Sequence, residues 1–345
     1  MSTPYVMRPS KLEDLPALME LAELSGPGFT SLPVDEAILS ERLEKSDKAF
    51  NSQLESVEYG KYLLMMEDSG TGEVVGCSAV KAGTGIDQPF FNYRIITVSQ
   101  ASQAAGNMRF DMDALILTNE YVGYTEVGTL FLKSNHRGGG AGRLAAQSRY
   151  LLIATDTSRF GTNVLAELRG VIDPDGISPF WECLGRHFFH MDFDEADRLS
   201  ATTDNQFICD LMPKYPIYVD LLPPEAREVI GRCHSEGVGA YKLLQWEGFE
   251  FDRTVDIFDG GPLVATQRRH LRTIRESREV RLDVVSELDG DTSGEGLVST
   301  DRLPDFRVCQ ARLALQGDDT AVTTADVFEK LRIKPGTKTR IWIRS

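Results

Sequence analysis

The most informative pattern of hydrophobic positions lies at residues 124–155, where a short apolar run precedes a glycine-rich turn and a helical pattern. The run Tyr124–Leu132 is short, apolar and mixed with Thr, which predicts a buried strand. The turn His136–Leu144 is dense in glycine, and small or apolar residues then recur at helical spacing, at Leu144, Ser148, Leu151 and Leu152. A strand, such a turn and a helix start together direct several backbone N–H groups and a helix dipole at one anion. We therefore expect a diphosphate to bind at this turn.

Apolar patterns on either side of this segment predict further strands and helices. Val6–Pro9 reads as a first strand that leads into a helix, and Val74–Val80 reads as the second strand of a hairpin after an acidic, glycine-containing turn. Residues 83–123 form a long insertion, too long for a plain loop. Asn163–Ile172 reads as the next buried strand. The pattern predicts an α+β fold.

Two segments share the order helix, glycine, aromatic residue. The first begins at Ser178 and is predicted to end at Gly185, before Phe188, and the second runs from Ala240 to Phe249. Their similarity indicates a core that is elaborated or partly duplicated.

The part of the chain from residue 267 onward differs in composition from the rest. Gln267–Arg281 is rich in arginine, and we interpret it as a solvated helix face, with phosphate contact as the alternative. Ser286–Gly296 is acidic and glycine-rich, which is typical of a linker or long loop. We predict a main domain at 1–266 that contains the 83–123 insertion, a basic segment and linker at 267–296, and a small β-rich appendage at 297–345.

Composition narrows the classes of partner. The 345 residues carry a net charge of −15, which argues against nucleic acid as a partner. The first eight residues contain no apolar signal-like core, and no stretch has transmembrane length. The five cysteines are scattered without C-x-x-C spacing, so neither a zinc site nor a disulfide framework is indicated. We expect a cytoplasmic protein with no bound metal and no membrane partner.

The spacing of the glycine-rich turn excludes two common nucleotide sites. No Lys-Ser/Thr pair follows the glycines, so the turn is not a P-loop, and it does not lie in a Rossmann βαβ unit. The segment from Arg137 to Gly142 has the form R-x-x-G-x-G, with Gly138 and Gly140 inside it. It resembles the pyrophosphate turn of GNAT-type acyl-CoA N-acyltransferases. That resemblance implies that Arg137, Gly138, Gly140 and Gly142 bind the diphosphate of an acyl-CoA.

Taken together, several stretches resemble the arginine N-succinyltransferase family over nearly the whole chain. They are Thr30-Ser31-Leu32-Pro33, Asn92-Tyr93-Arg94, Thr129-Leu130-Phe131-Leu132, residues 170–181, Met212-Pro213-Lys214-Tyr215-Pro216-Ile217-Tyr218, His234 and residues 256–262. The resemblance implies a GNAT-like mixed, mostly antiparallel sheet flanked by helices, elaborated or partly duplicated, with the small β-rich C-terminal appendage.

The same resemblance implies the chemistry. The α-amino group of L-arginine attacks the thioester of succinyl-CoA directly, so succinyl-CoA is a substrate and no cofactor is bound permanently. The resemblance implies that Leu130 contacts the acyl-CoA and that His234 is the proton donor. Leu244 stands where many GNAT enzymes have a tyrosine donor, so another donor is needed. The residues that bind the guanidinium group and the two carboxylates stay open.

Two alternatives to this function stay open. One is a GNAT acyltransferase that acts on ornithine or another amino acid, and the other is a non-catalytic acyl-CoA sensor. The family's occurrence as paired similar subunits implies a homo- or hetero-oligomer.

Overall fold

The computed structural model describes residues 4–26, 29, 31–203, 205–290 and 292–344. Thr30, the first residue of one of the resembling stretches, lies outside the described residues. Fifteen strands of the described chain form one sheet: β1 Tyr5–Pro9, β2 Lys61–Asp68, β3 Val74–Lys81, β4 Asn92–Ser102, β5 Met108–Thr118, β6 Thr125–Leu132, β7 Asn163–Glu167, β8 Ile217–Tyr218, β9 Glu250–Asp256, β10 Pro262–Gln267, β11 Arg278–Val284, β12 Ser293–Thr300, β13 Val308–Leu315, β14 Thr320–Thr323 and β15 Thr337–Ile343.

Helices flank this sheet. Those of the described chain are α1 Leu15–Ser25, α2 Glu36–Phe50, α3 Ala141–Thr155, α4 Arg186–Phe189, α5 Phe193–Thr202, α6 Gln206–Leu211, α7 Pro224–Arg227, α8 Val238–Glu247, α9 Arg272–Glu276 and α10 Ala325–Leu331. None of them is long and apolar enough to cross a membrane.

The sheet is mixed and mostly antiparallel. Its strand order is β12-β15-β11-β14-β13-β1-β2-β3-β6-β7-β10-β9-β4-β5-β8, and the parallel neighbours are β6–β7 and β11–β14. Helix α3 packs on the centre of the sheet with Leu144, Leu151 and Leu152 in the core, as the helical spacing predicts. The predicted fold class is confirmed.

The predicted insertion 83–123 contains the hairpin β4–β5. Its strands pair without interruption from Asn92↔Thr118 to Ser102↔Met108, and the start of β4 also pairs with β9. The insertion therefore widens the sheet and does not form a separate body.

Two predictions about individual segments were wrong. Gly185 does not end a helix, because it lies inside a π-helical turn that continues through α4 to His190, where φ is +54°. A Cβ on Gly185 would lie 2.2 Å from the Trp181 ring, so glycine is needed for packing. The arginine-rich segment is not one helix face: a short 3-10 helix at Arg268–His270 and helix α9 precede β11, in which Val280 and Leu282 are buried between polar residues.

The C-terminal strands β11–β15 and α10 have a core of their own but share the sheet. Strand β13 pairs with β1 through Val6↔Cys309 and Met7↔Val308. Arg307, 9% exposed and next to β13, extends the junction with an ion pair of 3.7 Å to Glu67 of β2, which also pairs with Arg8 of β1. Hydrogen-bonded strands and buried charges thus join the appendage to the main sheet.

The linker predicted at Ser286–Gly296 is too long, because β12 begins at Ser293. The division of the chain at 267–296 stays a prediction, which limited proteolysis tests. We expect the first cut within 286–290, because these residues are mostly exposed and belong to no strand. The tip of the β4–β5 hairpin is also exposed, but its strands stay paired up to Ser102↔Met108, so it should resist longer. Since β11 and β12 both pair with β15, the fragments should co-elute until denatured. A first cut elsewhere, or separation of native fragments, would contradict this expectation.

Candidate active site

Strands β6 and β7 diverge at the centre of the sheet. They pair in parallel only at Thr125↔Val164 and Glu126↔Leu165, so the rest of β6 has a ladder partner on one side alone, in β3. Diverging parallel strands leave backbone N–H and C=O groups facing the gap, where a ligand finds them unpaired.

A β-bulge interrupts the ladder on that remaining side. Cys77 is opposite Phe131 and Ala79 is opposite Gly128, so Thr129 and Leu130 together oppose Ser78. Thr129 has a φ of +50°, which is rare for a β-branched residue and costs about 1–3 kcal/mol. The strain lies directly beside Leu130, the residue predicted to contact the acyl-CoA.

The glycine-rich turn has the backbone that the sequence predicts. Gly138, Gly139 and Gly140 have φ values of +117°, +55° and +92°, which only glycine adopts readily. Gly140 is the N-cap of α3, so the first-turn amides of Gly142 and Arg143 have no acceptor within the helix. The turn therefore offers unpaired N–H groups and the positive end of a helix dipole to an anion.

A cleft of about 610 Å³ lies in the gap between the diverging strands. Leu130, Arg137, Gly138, Gly142 and His234 all line this cleft, although His234 is far from the others in sequence. Gly140 lies elsewhere: it lines a second groove on the other side of the turn, where Gln310 donates to its carbonyl at 3.0 Å. The structure thus brings five of the six predicted site residues to one cleft.

His234 is half-buried on the segment before α8. Its backbone amide donates to the Arg169 carbonyl at 2.8 Å, and its Nδ1 accepts from the Glu236 amide at 3.3 Å. A neutral ring held in this way carries its proton on Nε2. Burial, and after it the charge of Arg169, lowers the pKa of His234 below its usual value. Leu244 lines the same cleft, so the position of the usual tyrosine donor is apolar here.

Four carboxylates line another part of the cleft: Glu126, Glu167, Asp256 and Asp259. Asp259 accepts from the amides of Gly170 and Gly261 at 2.6 and 2.8 Å. Burial raises the pKa of both Glu167 and Asp259, and the neighbouring Asp256 raises each further. Among the described residues, Oε1 of Glu167 has no hydrogen-bond donor. A cationic group that enters here would offset the repulsion among these carboxyl groups and favour their ionised forms.

Three arginines, Arg42, Arg149 and Arg169, line the cleft as well. Arg149 is 4% exposed, and its guanidinium donates to the carbonyls of Ala146 and Gly128 at 3.2 and 3.4 Å. Arg42 donates to the Ser31 carbonyl. Burial lowers the pKa of Arg42 and of Arg149, but a guanidinium stays charged in proteins. The cleft therefore holds cations suited to carboxylates beside acids suited to a cation.

Sequence reasoning did not single out these acids and arginines. The sequence carried a signal in two places: Arg149 is a charged residue in the mostly apolar and small part of α3 after Leu144, and Glu167 ends the apolar strand β7. Charged residues inside such runs are rarely buried without a partner.

Comparison with known proteins decides the family. The family described as arginine N-succinyltransferase beta subunit matches residues 5–273, and the C-terminal domain of that beta subunit matches residues 278–342. The chain belongs to the arginine N-succinyltransferase family. An arginine N-succinyltransferase of Escherichia coli (strain 55989 / EAEC) is 39% identical over 97% of this chain and 96% of the relative, and that of Shigella flexneri gives the same values.

A solved structure of this family has the same fold. The arginine/ornithine succinyltransferase subunit AI from Pseudomonas aeruginosa is 31% identical, covers 98% of both chains and superposes with a TM-score of 0.88. The family that the sequence motifs indicate is therefore confirmed over residues 5–273 and 278–342, whereas the roles of Leu130, Arg137, Gly138, Gly140, Gly142 and His234 stay predictions.

Proposed function

We propose that the protein is an arginine N-succinyltransferase, which transfers the succinyl group of succinyl-CoA to the α-amino group of L-arginine. The observation that carries this proposal is the composition of the cleft. It combines a diverging strand and glycine-rich turn suited to an acyl-CoA with carboxylates suited to a guanidinium and arginines suited to carboxylates. The names of the relatives agree with this combination.

The acyl-CoA occupies the part of the cleft between β6 and α3. The diphosphate lies against the turn at Gly138 and Gly142, where amides and the helix dipole favour negative charge. From there the pantetheine arm follows β6 as an added strand, because beyond Glu126 no described strand pairs with β6 on that side. The thioester then lies at the bulge beside Leu130.

The reaction is a direct aminolysis. The neutral α-amine attacks the thioester carbon, so that a C–N bond forms and the carbonyl oxygen becomes an oxyanion, which a backbone N–H of β6 stabilises. The C–S bond then breaks and the electron pair leaves with the CoA sulfur. His234 donates a proton to this sulfur, and the nitrogen loses its extra proton to solvent or to a cleft carboxylate. The ring acts as the acid in its protonated form, in which Nδ1 no longer accepts from the Glu236 amide, and its lowered pKa makes this form a stronger acid.

The charged ends of the substrates match the two sets of side chains. The guanidinium of L-arginine lies at Glu167 and its neighbours Asp256 and Asp259, where it lowers the repulsion among the carboxylates. The α-carboxylate and the succinyl carboxylate lie at Arg149, Arg42 and Arg169, whose planar guanidinium groups bind carboxylates in two contacts.

Location and assembly belong to the same proposal. All five cysteines, which lie within the described residues, are free thiols, and this supports a reducing cytoplasm. A homo- or hetero-oligomer with a similar subunit is proposed from the family resemblance alone.

A substrate panel tests the proposed function. The purified protein is assayed for CoA release with L-arginine, L-ornithine or no amine, each with succinyl-CoA and acetyl-CoA. We expect the highest kcat/KM for L-arginine with succinyl-CoA. A preference for ornithine would support the second candidate, which the name of the Pseudomonas aeruginosa subunit favours. CoA binding without turnover of any amine would make the protein a sensor.

Glu167→Gln tests the assignment of the guanidinium site. The change keeps the shape of the side chain and removes its charge, so we expect KM for L-arginine to rise about tenfold or more, while KM for succinyl-CoA stays nearly constant. Glu44→Gln, on the exposed face of α2, is the matched control. A loss in kcat with unchanged KM would instead make Glu167 the general base.

A further inference from the structure

A second groove, of about 210 Å³, lies between the glycine-rich turn and the C-terminal strands. One wall consists of Gly140, Arg143 and Gln147, and the other includes Gln310, Arg312 and Arg344 from β13 and the end of β15. We call it the junction groove. No step of the proposed reaction uses it.

The junction groove carries excess positive charge in an acidic protein. Among the residues that the structure describes, its lining has three arginines, Arg143, Arg312 and Arg344, against one carboxylate, Glu295, whereas the whole chain has a net charge of −15. Arg312 donates to a backbone carbonyl, that of Gly290 at 3.5 Å, which does not neutralise its charge. Burial, and after it the charge of Arg344, lowers the pKa of Arg143. Cations that repel one another around a cavity favour an anionic ligand.

Aromatic and amide groups adjoin these cations. The guanidinium of Arg143 lies 4.8 Å from the ring centre of Trp246, which in turn meets Trp342 edge to face at 5.7 Å. Gln147 is 2% exposed and uses its Nε2 to donate to Thr273 at 2.7 Å, while its Oε1 accepts from no described residue. An anion that also carries a flat, hydrogen-bonding ring would complement this lining.

The position of the groove relative to the cleft identifies such an anion. Gly138 and Gly142 line the cleft, whereas Gly139 and Gly140 line the groove, so the same turn borders both. A diphosphate on this turn has one end toward the cleft, where the pantetheine arm enters. Its other end then points toward the groove. In CoA that other end is adenosine with a 3′-phosphate.

We propose that the junction groove binds the 3′-phosphate of CoA through Arg312 and Arg344 of the C-terminal strands together with Arg143 of α3. This inference rests on the proposed acyl-CoA chemistry and adds a role for the C-terminal strands. Arginine suits the site because its planar group gives a phosphate two parallel hydrogen bonds. The bond from Gln310 to the Gly140 carbonyl holds the turn and these arginines in one arrangement.

The experiment compares CoA with 3′-dephospho-CoA by calorimetry on the full-length protein. We expect the wild-type protein to bind CoA at least tenfold more tightly than 3′-dephospho-CoA. The double variant Arg312→Gln/Arg344→Gln should bind the two nucleotides equally, because it loses affinity for CoA and keeps its affinity for 3′-dephospho-CoA. Arg278→Gln, an exposed change on β11 outside the groove, should keep the preference.

Three results would overturn the proposal. Equal affinities in wild type would show that the 3′-phosphate is not bound, and the proposed reaction would stand. Equal losses for both nucleotides in the double variant would show that the arginines support the structure and do not bind the phosphate. Binding of neither nucleotide by wild type would remove the acyl-CoA chemistry itself, and the proposal with it.

Discussion

His234→Gln is expected to lower kcat with succinyl-CoA and L-arginine by a factor on the order of 10², while KM for succinyl-CoA stays nearly unchanged. His234→Ala should give a similar loss. The factor corresponds to about 2.7 kcal/mol of transition-state stabilisation. The physical reason is that an alkyl thiolate leaves poorly without a proton, and His234 is the histidine that lines the cleft in the described part of the chain.

Changing the leaving group of the acyl donor distinguishes proton donation by His234 from a purely structural role of its ring. A succinyl thioester of an acidic aromatic thiol releases a stable thiolate, which needs no proton. We therefore expect His234→Gln to cost much less with such a donor than with succinyl-CoA. His270→Gln, an exposed histidine before α9, is the matched control and should leave both rates unchanged.

An equal loss with both donors would contradict proton donation. It would instead indicate that the ring acts through its bond to the Glu236 amide and shapes the start of α8. Near-normal turnover of His234→Gln with succinyl-CoA would exclude the ring from the chemistry altogether.

Gly142→Asp is expected to weaken succinyl-CoA binding by well over tenfold, which is more than about 1.4 kcal/mol. Gly142 lines the cleft, and a Cβ there would have its nearest neighbour, a methyl of Leu132, at 3.9 Å. The new carboxylate fits sterically and repels the diphosphate. Because it also lies in the first turn of α3, it should interact favourably with the helix dipole.

Stability and affinity should therefore change in different directions in this variant. We expect a thermal midpoint equal to or above that of wild type together with the loss of CoA affinity, measured by calorimetry. Gly142→Ala, which adds bulk without charge, should bind CoA nearly as wild type does. Unchanged CoA affinity in a folded Gly142→Asp variant would refute the diphosphate assignment.

Gly140→Asp is a less clear test of diphosphate binding at the turn, although Gly140 and Gly142 are the two glycines of the R-x-x-G-x-G pattern. Gly140 has a φ of +92°, and a Cβ would lie 2.3 Å from Nε2 of Gln310. Any side chain there strains the turn at this positive φ and pushes the end of the Gln310 side chain aside, so a loss of binding would not isolate the effect of charge.

Local patterns predicted the strand β6, the glycine-rich turn and α3, because neighbouring residues determine these elements. The acidic part of the cleft was not predictable in this way. Glu126, Glu167 and Asp259 come from separate segments and line one cleft only in the folded chain, where β6 lies beside β7 and Asp259 binds the amide of Gly170. Their role depends on burial and mutual repulsion, which the sequence does not display.

The errors have the same origin. Gly185 before Phe188 matches the pattern of a helix end, but the tertiary contact with Trp181 decides its conformation. In the arginine-rich segment, the prediction of a helix face rested on the many arginines. The alternation of Val280 and Leu282 with polar residues, which predicts a strand, was overlooked. The pairing of β13 with β1 was not predictable, because the two strands are about 300 residues apart in sequence and no local feature indicates which strand pairs with which.

The pairing of β1 with β13 has a consequence for synthesis of the chain. Strand β1 emerges first from the ribosome, but one of its two neighbours, β13, begins only at Val308. The central sheet therefore has an unpaired edge during almost the whole of translation, and its last strands join after the chain is nearly complete. Unpaired edges template aggregation, so a chain that stops before Val308 should accumulate as insoluble material even though it contains every residue that lines the cleft.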